Sequence, residues 1–240
     1  MSDILLEVIA VDLDDAERAA DGGADRLEVC ASMDRDGTTP ALSTIEAICT
    51  AGLPLDVMAM VRPRGGDFVY APAELRAIAD RIHEFKAAGV DGVVLGVLTA
   101  SAAVDEPALA RLVQAADGLS VTFHRAFDCV GDPSAALRAL KLGGVDRVLT
   151  LGYRVGSPRQ PTDIERVAAA AIEAGGEVAV MTGGLLEDDA PTQLRAAGIR
   201  QFHLGRAVRE GESYDCPTDP ERVRAWRARL EGRRGDGTAQ

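Results

Sequence analysis

Apolar residues run along this chain in two alternating rhythms. Short, nearly continuous runs rich in Val, Ile and Leu occur at "ILLEVIA" (4–10), "GGADRLEVC" (22–30), "LPLDVMAMV" (53–61), "AGVDGVVLGV" (88–97), "LSVTFHRAF" (119–127), "GGVDRVLTLG" (143–152), "EVAVMTG" (177–183) and "AGIRQFHLGR" (197–206). Continuous apolarity over so few residues is the mark of a strand buried on both faces. Between the runs, segments near 13–21, 42–51, 72–88, 105–116, 132–142, 161–174, 187–197 and 219–231 show the wider spacing of amphipathic helices. Several open on Asp or Pro, as in "DEP", "DPS" and "DPE", which suit an N-cap and a first turn. In four of the strand runs a glycine comes first, where a helix is expected to end in a left-handed cap.

Strict alternation of strand and helix predicts a parallel sheet covered by helices. Eight repeats predict closure into a single α/β (β/α)₈ TIM barrel. An open dinucleotide-binding sheet is disfavoured, because no GxGxxG follows the first strand. No low-complexity linker divides the chain, so residues 1–231 are read as one domain and 232–240 as a frayed C-terminal tail.

In such a barrel the loops after the strands form the working face. This places "RPRGGDFVY" (62–70), "HRAFDC" (124–129), "TGGL" (182–185) and "HLGRAV" (203–208) at the mouth, with Arg62, Arg64, Asp67, His124, Arg125, Asp128, His203 and Arg206 among their residues. Glu7 and Glu28 sit inside the first two strands, and a carboxylate there requires a cationic or hydrogen-bonding partner. One reading gives Arg62 and Arg64 that structural task. The other assigns the remaining guanidinium groups to an anionic ligand, with Gly65, Gly66, Gly183 and Gly184 letting backbone amides approach it. His124 is a candidate acid or base oriented by Glu28 or Asp128, or else a satisfied core residue.

Composition narrows the partners. The formal net charge of −12 argues against nucleic acid and anionic membranes, and the longest uncharged stretch, 92–104, is too short to span a bilayer. Lys86 and Lys141 are the only lysines, so if both lie on outer helices an imine mechanism has no amine. Cys30, Cys49, Cys129 and Cys216 form no CxxC pair and no secretory leader is evident, which predicts a reduced, cytoplasmic setting.

The blocks "ADRLEVC", "RPRGGDFVY", "TFHRAFD" followed by "DP", and "GVDRVLT", in this order from about Leu5 to Gly205, resemble the CutC family, often labelled copper homeostasis proteins. The resemblance implies a cytoplasmic TIM barrel, often homo-oligomeric, that binds copper(I). It implies a candidate site at Glu7, Glu28, Arg62, Arg64, Asp67, His124, Arg125 and Asp128, with Cys30 as the family's strand-two cysteine. The chain departs from the family pattern at "DGTTPALS", "LTLG" and "FHLGRAV", which alter the rim. Copper(I) prefers converging thiolates or thioethers, and the four cysteines are expected on different sides of the ring. "CASM" offers Cys30 and Met33 from one loop. Two functions follow: copper(I) binding through Cys30, or an enzyme for a small phosphate- or carboxylate-bearing metabolite, with arginines as clamp and Glu28 and His124 as acid-base groups.

Overall fold

The computed structural model describes residues 4–153, 157, 158, 160, 162–184 and 190–232. Eight strands, β1 (Leu5–Ala10), β2 (Arg26–Val29), β3 (Asp56–Met60), β4 (Gly92–Leu95), β5 (Ser120–Phe123), β6 (Arg147–Leu149), β7 (Ala179–Gly183) and β8 (Gln201–Leu204), close in sequence order into one barrel. Each pairing is parallel, including β1 with β8. Helices α1 (Leu13–Asp21), α2 (Leu42–Thr50), α3 (Pro72–Ala88), α4 (Glu106–Ala116), α5 (Pro133–Leu142), α6 (Asp163–Ala174), α7 (Ala190–Ala196) and α8 (Pro220–Leu230) surround it. The (β/α)₈ architecture expected from the sequence is the architecture found. Of the expected tail, residues 233–240 lie outside the described residues, as do 187–189 at the start of the seventh expected helix.

The caps follow the sequence chemistry. Asp12, Asp105 and Asp132 each accept the amide of the third residue on, Asp219 accepts the amide of Glu221, and prolines sit in the first turns of α3, α4, α5 and α8. At the glycine pairs ending α1 and α5 the first stays right-handed and the second takes the positive φ: Gly22 and Gly143 cap the helices, and Gly23 and Gly144 turn the chain, whereas after α6 both Gly175 and Gly176 take positive φ. A lone glycine does both tasks at Gly89.

Period-two alternation splits each strand between two cores. Leu6, Val8, Leu27, Val29, Val57, Val93, Val121, Phe123, Val148, Phe202 and Leu204 face the helices in one continuous apolar layer. Ile9, Cys30, Met58, Met60 and Val94 form a separate cluster inside the ring. After β8 the chain makes two short 3-10 turns, at Arg206–Val208 and Glu210–Glu212, before α8. Arg209 ties this segment down: its guanidinium donates to Asp15 Oδ2 at 2.5 Å and to the carbonyls of Ile9 and Cys216.

Candidate functional site

Strand register explains how the buried charges meet. Glu7 lies level with Arg26 of β2 on one side and His203 of β8 on the other. Its Oε2 accepts from Arg26 Nε at 2.6 Å, and its Oε1 lies 2.7 Å from His203 Nδ1. Arg26 also donates to Gln201 Oε1 at 2.9 Å and touches Met181 Sδ. Burial alone would raise the Glu7 carboxyl, but Arg26 and His203 outweigh it and hold its pKa at about 2. The partner of Glu7 is therefore a strand arginine and not a mouth arginine as expected. Arg26 and Arg147 are both interior residues that went unassigned in the sequence, although each lies two positions before an inward residue, Glu28 and Leu149, and so shares its face.

Arg62 and Arg64 do not pair with Glu28 either. Arg62 is buried and donates to the carbonyls of Arg35, Asp36, Gly37 and Gly66, with its guanidinium 5.0 Å from the Phe68 ring centroid. It fastens the loop after β2 to the loop after β3. Arg64 is half-exposed and forms ion pairs with Asp67 and Glu74. Arg64, Gly65, Gly66 and Asp67 lie outside the lining of the mouth cavity, so the expected cluster of four mouth arginines reduces there to Arg62, Arg125 and Arg206.

That cavity, about 530 Å³, brings together Glu28, Cys30, Arg62, His124, Arg125 and His203, with Gly184 and Arg206 on its wall. Met33, already offered by "CASM", is joined by Met60 and Leu149 at the ends of β3 and β6 and by Leu151, Tyr153 and Tyr214 of the loops, apolar and aromatic surface that sequence reasoning left unassigned. Tyr214 is held between Arg206 and Arg209, whose guanidinium carbons lie 5.4 and 5.1 Å from its ring centroid.

Four buried polar atoms of lining residues have no protein partner: Glu28 Oε1, Arg62 Nε, His124 Nε2 and Arg125 Nη2. The remainder of each group is fixed. Glu28 Oε2 lies 3.3 Å from Cys30 Sγ, which donates to it, and 3.8 Å from His203 Nε2. Burial raises the Glu28 pKa, with His203 opposing and the Glu7 charge adding to it. The same burial raises the Cys30 thiol well above its ordinary value, and Glu28 pushes it further. Burial works against charge on His203, but Glu28 and Glu7 outweigh it and raise its pKa.

His124 follows β5 and packs against Phe68, ring centroids 4.9 Å apart. Its Nδ1 accepts the Ala126 amide at 3.1 Å. An amide can only donate, so the proton of the neutral ring belongs on Nε2. Burial, reinforced by the Arg62 charge, holds the His124 pKa at about 3, so at neutral pH the ring is an uncharged Nε2–H donor. Glycine at position 96 makes this possible: a Cβ there would stand 2.3 Å from His124 Cε1.

Asp128 does not orient His124. Its carboxylate accepts from the Thr150 hydroxyl at 2.5 Å, the Leu151 amide and Arg125 Nε at 3.0 Å, which fixes β6 to the loop after β5. Gly183 lets β7 run close to β8, since a Cβ there would meet the His203 carbonyl at 2.1 Å. Lys86 and Lys141 lie on α3 and α5, away from the cavity.

Among the described residues, the one group with the spacing of metal ligands is Glu7, Glu28 and His203, whose ligand atoms lie within 4.8 Å of one another. Glu7 is already saturated by Arg26 and His203, and the adjacent guanidinium opposes a cation. Soft donors collect separately, since Cys30, Met33 and Met60 line the cavity while Cys49, Cys129 and Cys216 do not. No helix among the described residues is long and apolar enough to cross a membrane.

The model of the CutC family matches residues 4–208. A CutC family protein of Bacteroides thetaiotaomicron is 36% identical over 218 residues, covering 90% of this chain and 86% of the relative. One from Sinorhizobium medicae is 37% identical over 245 residues, covering 96% and 98%. The crystal structure of CutC from Streptococcus agalactiae, provisionally named a copper homeostasis protein, superposes with a TM-score of 0.78 at 31% identity, over 84% of this chain and 98% of that one. Sequence blocks, barrel and whole-chain likeness agree, and this chain belongs to the CutC family.

Proposed function

We propose that the mouth cavity binds a small anionic metabolite and moves a proton on it. The observation that carries this reading is the set of unpartnered buried atoms on four lining residues, Glu28 Oε1, Arg62 Nε, His124 Nε2 and Arg125 Nη2. Each such atom costs about 1–3 kcal/mol when left unsatisfied, which a ligand of matching polarity recovers. Arg125, fixed by Asp128 on one side and 5.2 Å from the Tyr153 ring centroid, offers a placed guanidinium edge for a carboxylate or phosphate, and Arg206 lines the same cavity from the turn after β8. Glu28 is the acid-base group, because its pKa is raised and one oxygen is uncommitted.

The test is a thermal-shift screen of small carboxylates and phosphates against wild type and Arg125→Ala. A ligand at a hundred times its Kd adds about 2.7 kcal/mol, or about 5–10 °C for a domain of this size. We expect at least one such shift in wild type and its loss in Arg125→Ala. No shift with any of these anions contradicts the reading.

Copper(I) binding is a second reading, favoured by the family's naming and by one specific observation: a thiol and two thioethers, from Cys30, Met33 and Met60, line the same cavity. Copper would be cargo here, and Glu28 Oε2 is placed to receive the thiol proton as the metal–sulfur bond forms. His124 is excluded as a ligand while its Nδ1 holds the Ala126 amide, because Nε2 then carries a proton. Competition with a copper(I) chelator decides it: stoichiometric binding in wild type, lost in Cys30→Ser, supports cargo, and binding unchanged in Cys30→Ser rejects it.

A further inference from the structure

We infer that the ligand of this cavity carries a carbonyl beside its anionic group, and that the site enolises it, with Glu28 taking a proton from the adjacent carbon while the His124 Nε2–H stabilises the oxygen. This rests on the reading of the cavity as a metabolite site and narrows it to a substrate class. The argument starts from the difference between two kinds of donor. Arg125 and Arg206 carry a permanent charge and suit a group that is already anionic. His124 is a neutral donor in buried surroundings, and the amide on its Nδ1 fixes which nitrogen bears the hydrogen. A neutral donor without a partner suits an oxygen that is uncharged in the bound substrate and becomes negative during reaction, which is the behaviour of a carbonyl on enolisation.

The base stands across the ring. Glu28 comes from β2 and His124 follows β5, three strand positions apart in a ring of eight, so a ligand between them meets the carboxylate and the imidazole from different sides. Glu28 Oε1 is unpartnered, and its other oxygen is held by the Cys30 thiol. The lining contains no lysine among the described residues, so the electron sink in reach is a hydrogen bond and not an imine. The step balances without a co-reactant. The C–H bond breaks toward Glu28 Oε1, its electron pair forms the carbon–carbon double bond, and the carbonyl π pair moves to the oxygen facing His124. Return of the proton to the same carbon gives exchange, and return to a neighbouring one gives isomerisation; nothing is oxidised or reduced.

Matched probe pairs test this: pyruvate with lactate, 2-oxoglutarate with 2-hydroxyglutarate, and dihydroxyacetone phosphate with glycerol 3-phosphate. Binding is followed by calorimetry, and exchange of the adjacent carbon's protons is followed by NMR in deuterium oxide. We expect one oxo compound to bind about tenfold more tightly than its reduced partner, the preference to vanish in His124→Phe and to return in part in His124→Asn. Exchange above the uncatalysed rate is expected in wild type and is lost in Glu28→Gln, with binding retained. If oxo and reduced partners bind equally and no exchange occurs, the enolisation is overturned while the anion site stands. If none of the six compounds binds, both the anion site and the carbonyl assignment are overturned.

Discussion

The same eight strands present opposite chemistry on their two faces. Toward the helices the strands present a mostly apolar layer: Leu6, Leu27, Phe123 and Phe202 are fully buried there, with Thr182, level with Phe202, as a polar exception, and that layer holds the ring of helices against the barrel. Toward the axis, alternate positions carry Glu7, Arg26, Glu28, Arg147 and His203, groups that cost stability unless paired. Near the middle of the barrel the cost at Glu7 is met inside the protein, where both its oxygens are taken by Arg26 and His203, while Arg147 keeps an unpartnered Nε. At the mouth the pairing is incomplete on Glu28, Arg62, His124 and Arg125 together. The difference separates a folding face from a working face within single strands, and the unsatisfied groups that gather around one cavity mark its working part.

Substitutions on the two faces should separate accordingly. The largest effect is expected from Glu7→Leu, which leaves Arg26 as an uncompensated buried charge and costs about 3–5 kcal/mol in chemical denaturation; Glu7→Leu combined with Arg26→Met should recover most of that loss. Leu27→Ala opens a void in the outer layer and should cost about 3 kcal/mol while leaving ligand affinity per folded molecule unchanged, a combination that no cavity substitution should reproduce. Gly96→Ala drives a methyl into the His124 ring; it should cost about 1–3 kcal/mol and weaken the ligand at the same time, because the ring must leave its seat. Arg64→Ala should change stability by less than about 1 kcal/mol and ligand affinity not measurably, since its pairs with Asp67 and Glu74 are solvent-facing and outside the cavity. Loss of ligand binding in Arg64→Ala would move the site outward toward the 62–70 loop.

The charged pair at the axis also sets a pH dependence. The Glu7 pKa is depressed to about 2, so its contribution is complete above about pH 5 and disappears as pH falls toward 2. In Arg26→Met this acid loss of stability should shrink, because the partner that holds the carboxyl ionised is gone.

Much of this was legible because barrel geometry imposes it on the sequence. Eight apolar runs and eight amphipathic segments predict the ring, and placement at the mouth loops predicts that His124, Arg125 and His203 share one cavity, to which the family resemblance adds Glu28. The mistaken expectations arose at arginines. A guanidinium has five donors and long reach, so sequence position alone does not tell whether it binds a carboxylate, as Arg26 does, or a row of backbone carbonyls, as Arg62 does. Strand register decides between them, since Arg26 lies level with Glu7 while Arg62 stands beyond the end of β3. The tautomer of His124 was equally hidden, because it depends on where the Ala126 amide points in the turn after β5.

The most direct test of the account is nitrogen-resolved NMR of the His124 ring between pH 7 and pH 5. The account predicts an uncharged imidazole throughout, with the proton on Nε2, an unprotonated Nδ1, and an Nε2–H signal that shifts when a bound anion is added. A ring that is charged at pH 5, or that carries its proton on Nδ1, contradicts it.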